Sequence, residues 1–252
     1  MALSNKQKVT DLLKTLETGD QAPIKYINPG KYIQHNLGAE DGLEGLKKFI
    51  QLTAHHSTVN TVRVFEDGDF VFAHTEYDFG KPSIGFDVFR FEEGLIVEHW
   101  DNLQQAEPPN PSGHTMTDGA TEITDRDKTA ANKTIAGNIV TDLVNGRFDK
   151  LPGYYDGDNY IQHNPWFGDQ LSGTVLGLRE WAKQGITLKY EKIHRVLGEG
   201  NFALVISECQ FKGAHSSFYD MYRIANGKIA EHWDTIETIP PPAEWNNSNG
   251  KF

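Results

Sequence analysis

The chain has 252 residues, 38% hydrophobic and 11% aromatic, enough apolar material for one large or two ordinary domains and too much for a disordered chain. Its 24 basic and 35 acidic residues give a formal charge of −11, which excludes the basic footprint of a nucleic-acid or anionic-membrane surface. Cys209 is the single cysteine, excluding an intrachain disulfide and a Cys-rich zinc site, and no run approaches the roughly 20 apolar residues of a membrane span.

The opening residues have no apolar leader stretch, so a cytoplasmic protein is expected. Val9, Leu12, Leu13 and Leu16 fall at helical spacing and predict a first helix. Tyr32-Ile33-Gln34-His35-Asn36 reads as a corner leading into an extended segment, and residues 43–52 as a second helix. From about Val59 the pattern changes to strands at 61–65, 70–79, 84–91 and 95–102, with turns at Asp67-Gly68 and Glu93-Gly94. Residues 107–125 contain Pro, Gly and Ser and little apolar periodicity, and mark a boundary. The same order then begins again. Ile135, Ile139 and Leu143 predict a helix, residues 176–186 a second, and strands follow with an Asn226-Gly227 hairpin turn.

Four segments match in order at offsets of 128–133 residues. Residues 9–13 match 140–144, and Tyr32-Ile33-Gln34-His35-Asn36 recurs unchanged as Tyr160-Ile161-Gln162-His163-Asn164. Residues 86–90 match 219–223, and Glu98-His99-Trp100-Asp101 recurs as Glu231-His232-Trp233-Asp234. Collinear identity of this kind is a duplication, and the period is long enough for each copy to be a whole domain. The expected organisation is α+β, with domains at 1–115 and 126–246, a linker at 116–125, and helices packed on one face of a curved antiparallel sheet.

Alternation along a strand puts His99 with Asp101 on one face and Glu98 with Trp100 on the other, and likewise His232 with Asp234. A His and a carboxylate aimed into an apolar cavity form an acid–base pair, because burial brings both pKa values toward neutrality. They also fit a purely structural pair beneath the helices, and parity alone does not choose the face. Asp87 and Phe89 share a face of the preceding strand, as do Asp220 and Tyr222. His35 is expected at a cavity mouth, and His74 with Glu76 on one strand face. At an offset of 133 the latter correspond to Ser207 and Cys209, predicting that the second copy lacks both ionisable groups. His35, His74, Glu76, His99 and Asp101 lack metal-ligand spacing, and no nucleotide, serine-hydrolase or zincin motif occurs, so no metal and no cofactor is expected.

Tyr160 to Pro165, the aromatic-Asp-x-aromatic-Arg strand and Gly227 to Asp234 resemble the SnoaL-like polyketide cyclase family of the nuclear-transport-factor-two-like, or cystatin-like, superfamily. The resemblance spans both copies and implies tandem cones, each a curved sheet wrapped around helices with a deep pocket. It implies cofactor-free ring closure by intramolecular aldol condensation, with Asp101 and Asp234 as acid/base, tuned by His99 and His232. His35, Asn36, His74, Glu76, Asp87, Phe89, His163, Asn164, Asp220 and Tyr222 are then expected to bind substrate. The family carries a His where this chain has Asp87 and Asp220, and a Pro where the first copy has Leu37. The resemblance also implies that Trp100 and Trp233 lie on outer sheet faces, where the copies pair as an intrachain pseudo-dimer; further oligomerisation stays open. The expected ligand is a small or medium apolar carbonyl compound. A non-catalytic binding pocket and a metal-assisted hydrolase are the alternatives.

Overall fold

A computed structural model describes residues 3–252, which form two compact units, each an α+β layer pair with one five-stranded sheet. Unit 1 contains α1 (Asn5–Thr18), β1 (Ile33–Gln34), α2 (Gly42–Thr53), β2 (Thr58–Asp67), β3 (Phe70–Asp78), β4 (Pro82–Glu92) and β5 (Leu95–Gln105). Unit 2 repeats the order with α3 (Thr129–Val144), β6 (Ile161–Gln162), α4 (Gln170–Lys183), β7 (Leu188–Glu199), β8 (Phe202–Phe211), β9 (Ala214–Ala225) and β10 (Lys228–Thr238). The sheet orders are β1-β5-β4-β3-β2 and β6-β10-β9-β8-β7, antiparallel except for the short parallel pairs β1/β5 and β6/β10. Among the described residues no helix is long and apolar enough to cross a membrane.

Local chemistry explains these elements. Ser4 caps α1 by accepting from the Gln7 amide, and Gly19 ends it at φ 71°, where a side chain would be strained. The apolar stripe Val9, Leu12, Leu13 and Leu16 is buried against the sheet with Val71, Ala73 and Phe89. The predicted turns Glu93-Gly94 and Asn226-Gly227 both have positive φ at each residue, which matches the right-handed twist of the strands they join. Helix α4 starts six residues before the predicted position. Its small residues let it pack tightly: a Cβ on Gly173 would stand 2.7 Å from the Gly168 carbonyl.

The unit boundaries differ from the expected 1–115 and 126–246. Unit 1 is residues 1–105 together with 240–252, and unit 2 is 106–239. The stretch expected to be a linker is therefore part of unit 2, and the tail after β10 is part of unit 1. Specific bonds hold each segment. In unit 1 Asn249 donates to the Gln34 carbonyl and to Asp41, and the Gly250 carbonyl meets His35 Nδ1 at 2.8 Å. In unit 2 Asn110 donates to the Gln162 carbonyl, and Trp233 Nε1 donates to the Asp118 carbonyl at 2.9 Å. These bonds run from side chains scattered along loops, so no periodicity reports them.

Strand pairing also corrects the alignment of the copies. Ala73 pairs with Asp87, and Val205 with Asp220, so β3 corresponds to β8 at an offset one residue below that of β4 and β9. The β3–β4 hairpin is one residue shorter than the β8–β9 hairpin, which absorbs the difference. His74 thus corresponds to Ile206, Glu76 to Glu208, and Tyr77 to Cys209. A one-residue slip exchanges the two faces of a strand, so the expected loss of both ionisable groups does not hold: Glu76 is matched by Glu208.

Candidate functional site

In each unit the two repeated motifs interlock. β1 lies parallel to β5 with Gln34 opposite His99, and β6 to β10 with Gln162 opposite His232. Each side chain of the first motif then meets its counterpart in the second. Gln34 Oε1 stands 2.9 Å from His99 Nδ1, and Gln162 Oε1 2.9 Å from His232 Nδ1. Asn36 donates to Asp101, and Asn164 donates to Asp234 at 2.8 Å. His35 stacks on Trp100 and stands 3.0 Å from Glu98, while His163 stacks on Trp233 and stands 2.9 Å from Glu231. In both copies the Gln, His and Asn of the first motif are thus held by partners in the second.

The alternation expected along the last strand is present, and it decides which residues meet the cavities. Unit 1 has a small cavity of about 60 Å³, whose lining includes Tyr32, Asn36, Asp87, Phe89, His99 and Asp101. Unit 2 has a cavity of about 380 Å³, lined by Tyr155, Tyr160, Gln162, Tyr190, Tyr222, His232 and Asp234 with an otherwise apolar wall. Phe148, Val175 and Leu178 line it and are exposed, so its mouth is apolar.

Six expected substrate-binding residues do not line a cavity. His35 and His163 turn to the face of Trp100 and Trp233, because they follow the cavity-facing Gln34 and Gln162 by one residue. His74 stacks on Phe86 and meets Arg63 at 3.1 Å, and Glu76 accepts from Asn60; both lie one step out of parity with Tyr77. Asp220 and Asn164 sit behind the cavity wall and hold His232 and Asp234.

In unit 2 the hydrogen bonds fix a tautomer. Gln162 Oε1 accepts from the amides of His163 and Asn164, while its Nε2 donates to Tyr160 at 2.9 Å, so His232 Nδ1 must donate to that oxygen. His232 Nε2 then faces Asp220 Oδ1 at 2.9 Å with a proton between them. Burial opposes the charged imidazolium, but the Asp220 hydrogen bond and the charges of Asp234 and Asp220 outweigh it and raise the His232 pKa. In unit 1 His99 Nε2 meets Asp87 Oδ1 at 3.2 Å. Burial raises the Asp87 pKa against the hydrogen bond and charge of His99.

A tyrosine supports each inner carboxylate from a different strand. Tyr77 on β3 donates to Asp87 at 2.6 Å, whereas Tyr190 on β7 donates to Asp220 at 3.1 Å. Val59 faces Tyr77 in the β2/β3 pair, and Tyr190 faces Cys209 in β7/β8, so the large and small residues have exchanged strands. Cys209 is buried and its thiol pushed up to about 12, which removes it as a nucleophile. Tyr190→Phe should destabilise unit 2 by about 1–3 kcal/mol by leaving Asp220 short of a donor, read as a lower denaturant midpoint at unchanged slope.

The outer carboxylates differ most. Asp101 is bonded by Asn36 and has the Lys251 ammonium 3.4 Å from Oδ1, with both side chains buried. Asp234 has Asn164 on Oδ2, but Oδ1 is buried without a hydrogen-bond partner. The His35–Gly250 and His163–Thr115 contacts align the two tail segments, so Lys251 corresponds to Met116. Burial pushes the Asp234 carboxyl up to about 6; Asp220 adds to this, while His232, Asn164 and His163 oppose it.

The native state therefore binds protons on Asp234 and His232 more readily than the unfolded chain. Stability from both groups is present at low pH and lost as pH rises, for Asp234 across the range from the ordinary 3.8 to about 6. Asp234→Asn should flatten that fall and raise the melting temperature at neutral pH, measured by calorimetry across pH 4–8.

No family model matches the sequence, and no curated protein matches it. Among solved structures the chain is similar to wild-type IdmH of Streptomyces antibioticus, at 21% identity over 40% of this chain and 93% of that one, with a TM-score of 0.36. It is similar to a nuclear-transport-factor-two-like protein of unknown function from Cytophaga hutchinsonii, at 18% identity over 47% and 95%, TM-score 0.34. It is also similar to an epoxide hydrolase from M. tuberculosis, at 20% identity over 44% and 85%, TM-score 0.34.

Sequence reading missed Gln34 and Gln162, Tyr77 and Tyr190, and Lys251. The glutamines carried a signal, since both stand inside a pentapeptide kept unchanged between copies. Lys251 carried none.

Proposed function

We propose that unit 2 is a cofactor-independent acid–base catalyst for an apolar carbonyl compound, with Asp234 as the proton-transfer group. The observation that carries this is Asp234 among the residues lining a 380 Å³ cavity, with one carboxylate oxygen that is buried and has no hydrogen-bond partner. A carboxyl raised to about 6 is a usable base and acid near neutrality.

Asp234 takes the proton from the carbon next to the carbonyl, and the C–H electron pair moves to the carbonyl oxygen as an enolate. Burial raises the Tyr155 pKa, so its hydroxyl stays protonated and donates to that oxygen, while Tyr160, which accepts from Gln162 and is hydrogen-bonded to Tyr155, backs it. Asp234 then either returns the proton to a different carbon of a conjugated enolate, which is isomerisation, or the enolate carbon attacks a second carbonyl of the same molecule. In the second case the new C–C bond leaves an alkoxide, and Asp234 returns its proton to it. His232 and Asp220 hold the electrostatic field around Asp234 and do not touch the reacting carbon.

Unit 1 keeps the frame without this chemistry. Its cavity is small and Lys251 faces Asp101, which favours a structural role for Asp101 there.

The test is α-proton exchange of apolar ketones and β-diketones in D₂O, followed by NMR. Exchange is expected with the wild-type chain and lost in Asp234→Asn. Absence of exchange across the panel with the wild-type chain overturns the proposal.

A further inference from the structure

Segment 106–125 of unit 2 brings His114 and Asp118 next to His163, which is fully buried just beyond β6. His163 Nδ1 stands 2.7 Å from Asp118 Oδ1, and His114 Nδ1 stands 3.2 Å from Asp118 Oδ2. One ligand atom from each of the three residues lies within 4.8 Å of the others. Tetrahedral Zn²⁺, with bonds of about 2.0–2.2 Å, needs donors about 3.3–3.5 Å apart, so both Asp118 contacts are within about 0.6 Å of that span.

The outer nitrogens matter as much. His163 Nε2 is 2.9 Å from Glu231 Oε1, and Glu231 is in turn held by Arg223. His114 Nε2 is 3.2 Å from Asp169 Oδ2. Each imidazole thus has a carboxylate on Nε2, which can hold a proton there once a metal ion takes Nδ1. Carboxylates behind histidines are the arrangement that orients and strengthens metal-ligating imidazoles. Nitrogen and oxygen donors in this number suit a borderline divalent ion.

We propose that His114, Asp118 and His163 form a divalent-cation site, best suited to Zn²⁺, that pins segment 106–125 to the β6 edge of unit 2. Without the ion the Thr115 carbonyl stands 3.0 Å from His163 Nδ1, a contact the ion would replace. Gly119 permits the close approach: a Cβ there would stand 2.1 Å from Glu231 Oε1 and 2.9 Å from the His163 ring. Among the described residues unit 1 has no counterpart of this cluster. Its tail presents Asn246, Asn247 and Asn249, and His35 Nδ1 meets the Gly250 carbonyl. The site is separate from the cavity and does not depend on the catalytic proposal.

The full chain, dialysed against EDTA, is titrated with ZnCl₂ by calorimetry in two buffers of different ionisation enthalpy. One Zn²⁺ per chain, proton release and a higher melting temperature are expected. Glu231→Gln or Asp169→Asn should weaken affinity about 10–100-fold, and His114→Ala or Asp118→Ala should weaken it further. Asp118 is half-exposed, so its variant disturbs the fold less than one at the buried His163. Co²⁺ in the wild-type chain should give a visible d–d spectrum that Asp118→Ala abolishes. No uptake at micromolar Zn²⁺ overturns the proposal. So does uptake unchanged in both His114→Ala and Asp118→Ala, or uptake lost in Asp234→Asn alone, which would put the ion in the cavity.

Discussion

Asp234→Asn should lower α-proton exchange by about 10²–10⁴, while Asp101→Asn leaves it nearly unchanged. The frames around the two carboxylates match: an Asn on one oxygen, a His on the same strand face, a Gln orienting that His. What separates them is the charge balance. Asp234 has a desolvated oxygen and a carboxyl pushed up to about 6, chiefly by burial with the Asp220 charge adding to it, which makes it basic enough to take a proton. Lys251 sets an ammonium 3.4 Å from Asp101 in an almost fully buried ion pair, so a cation occupies the place beside that carboxylate. Asparagine has the same shape and carries no charge, so the variant should melt higher above pH 6 while losing exchange. Gain of stability with loss of rate separates a chemical role from damage to the fold. Full exchange in Asp234→Asn would sink the mechanism, and equal losses in both variants would show that both units act.

The duplication and the α+β order were legible because each rests on short-range pattern. Helical spacing at Val9, Leu12, Leu13 and Leu16 and the Asn226-Gly227 turn need no knowledge of distant contacts. Parity along the last strand separated His99 and Asp101 from Glu98 and Trp100 correctly, since alternation is a property of one strand. Parity failed where it had to be carried between strands or around a corner. A one-residue difference in a hairpin moved Tyr77 into register with Cys209 and exchanged faces across β3 and β8. His35 and His163 were assigned to the cavity for want of the β1/β5 and β6/β10 pairings, which place the neighbouring Gln there instead. The tail contacts were illegible in principle. Nothing around Lys251 distinguishes it from a surface lysine until residues 240–252 are seen beside β5.

Lys251→Met should destabilise unit 1 by about 3–5 kcal/mol, the second large effect the structure implies. Both side chains of the Lys251–Asp101 pair are almost fully buried, so neither is screened as a surface pair would be. Removing the ammonium leaves a carboxylate in an apolar wall with Asn36 as its remaining named donor. Removing both charges is different, because no buried charge is then left uncompensated. Lys251→Met combined with Asp101→Asn should therefore recover most of the loss, and a double-mutant cycle by denaturant unfolding should give a coupling of comparable size. The loss should also be local. Residues 240–252 are held by Asn246, Asn247 and Asn249 as well as by Lys251, so loosening that segment should appear as faster proteolysis within it while β6–β10 stay protected from hydrogen exchange. A Lys251→Met chain as stable as the wild type, with no coupling to Asp101, would mean that the ammonium does not neutralise this carboxylate. The chemical difference between the two cavities would then rest on their size alone.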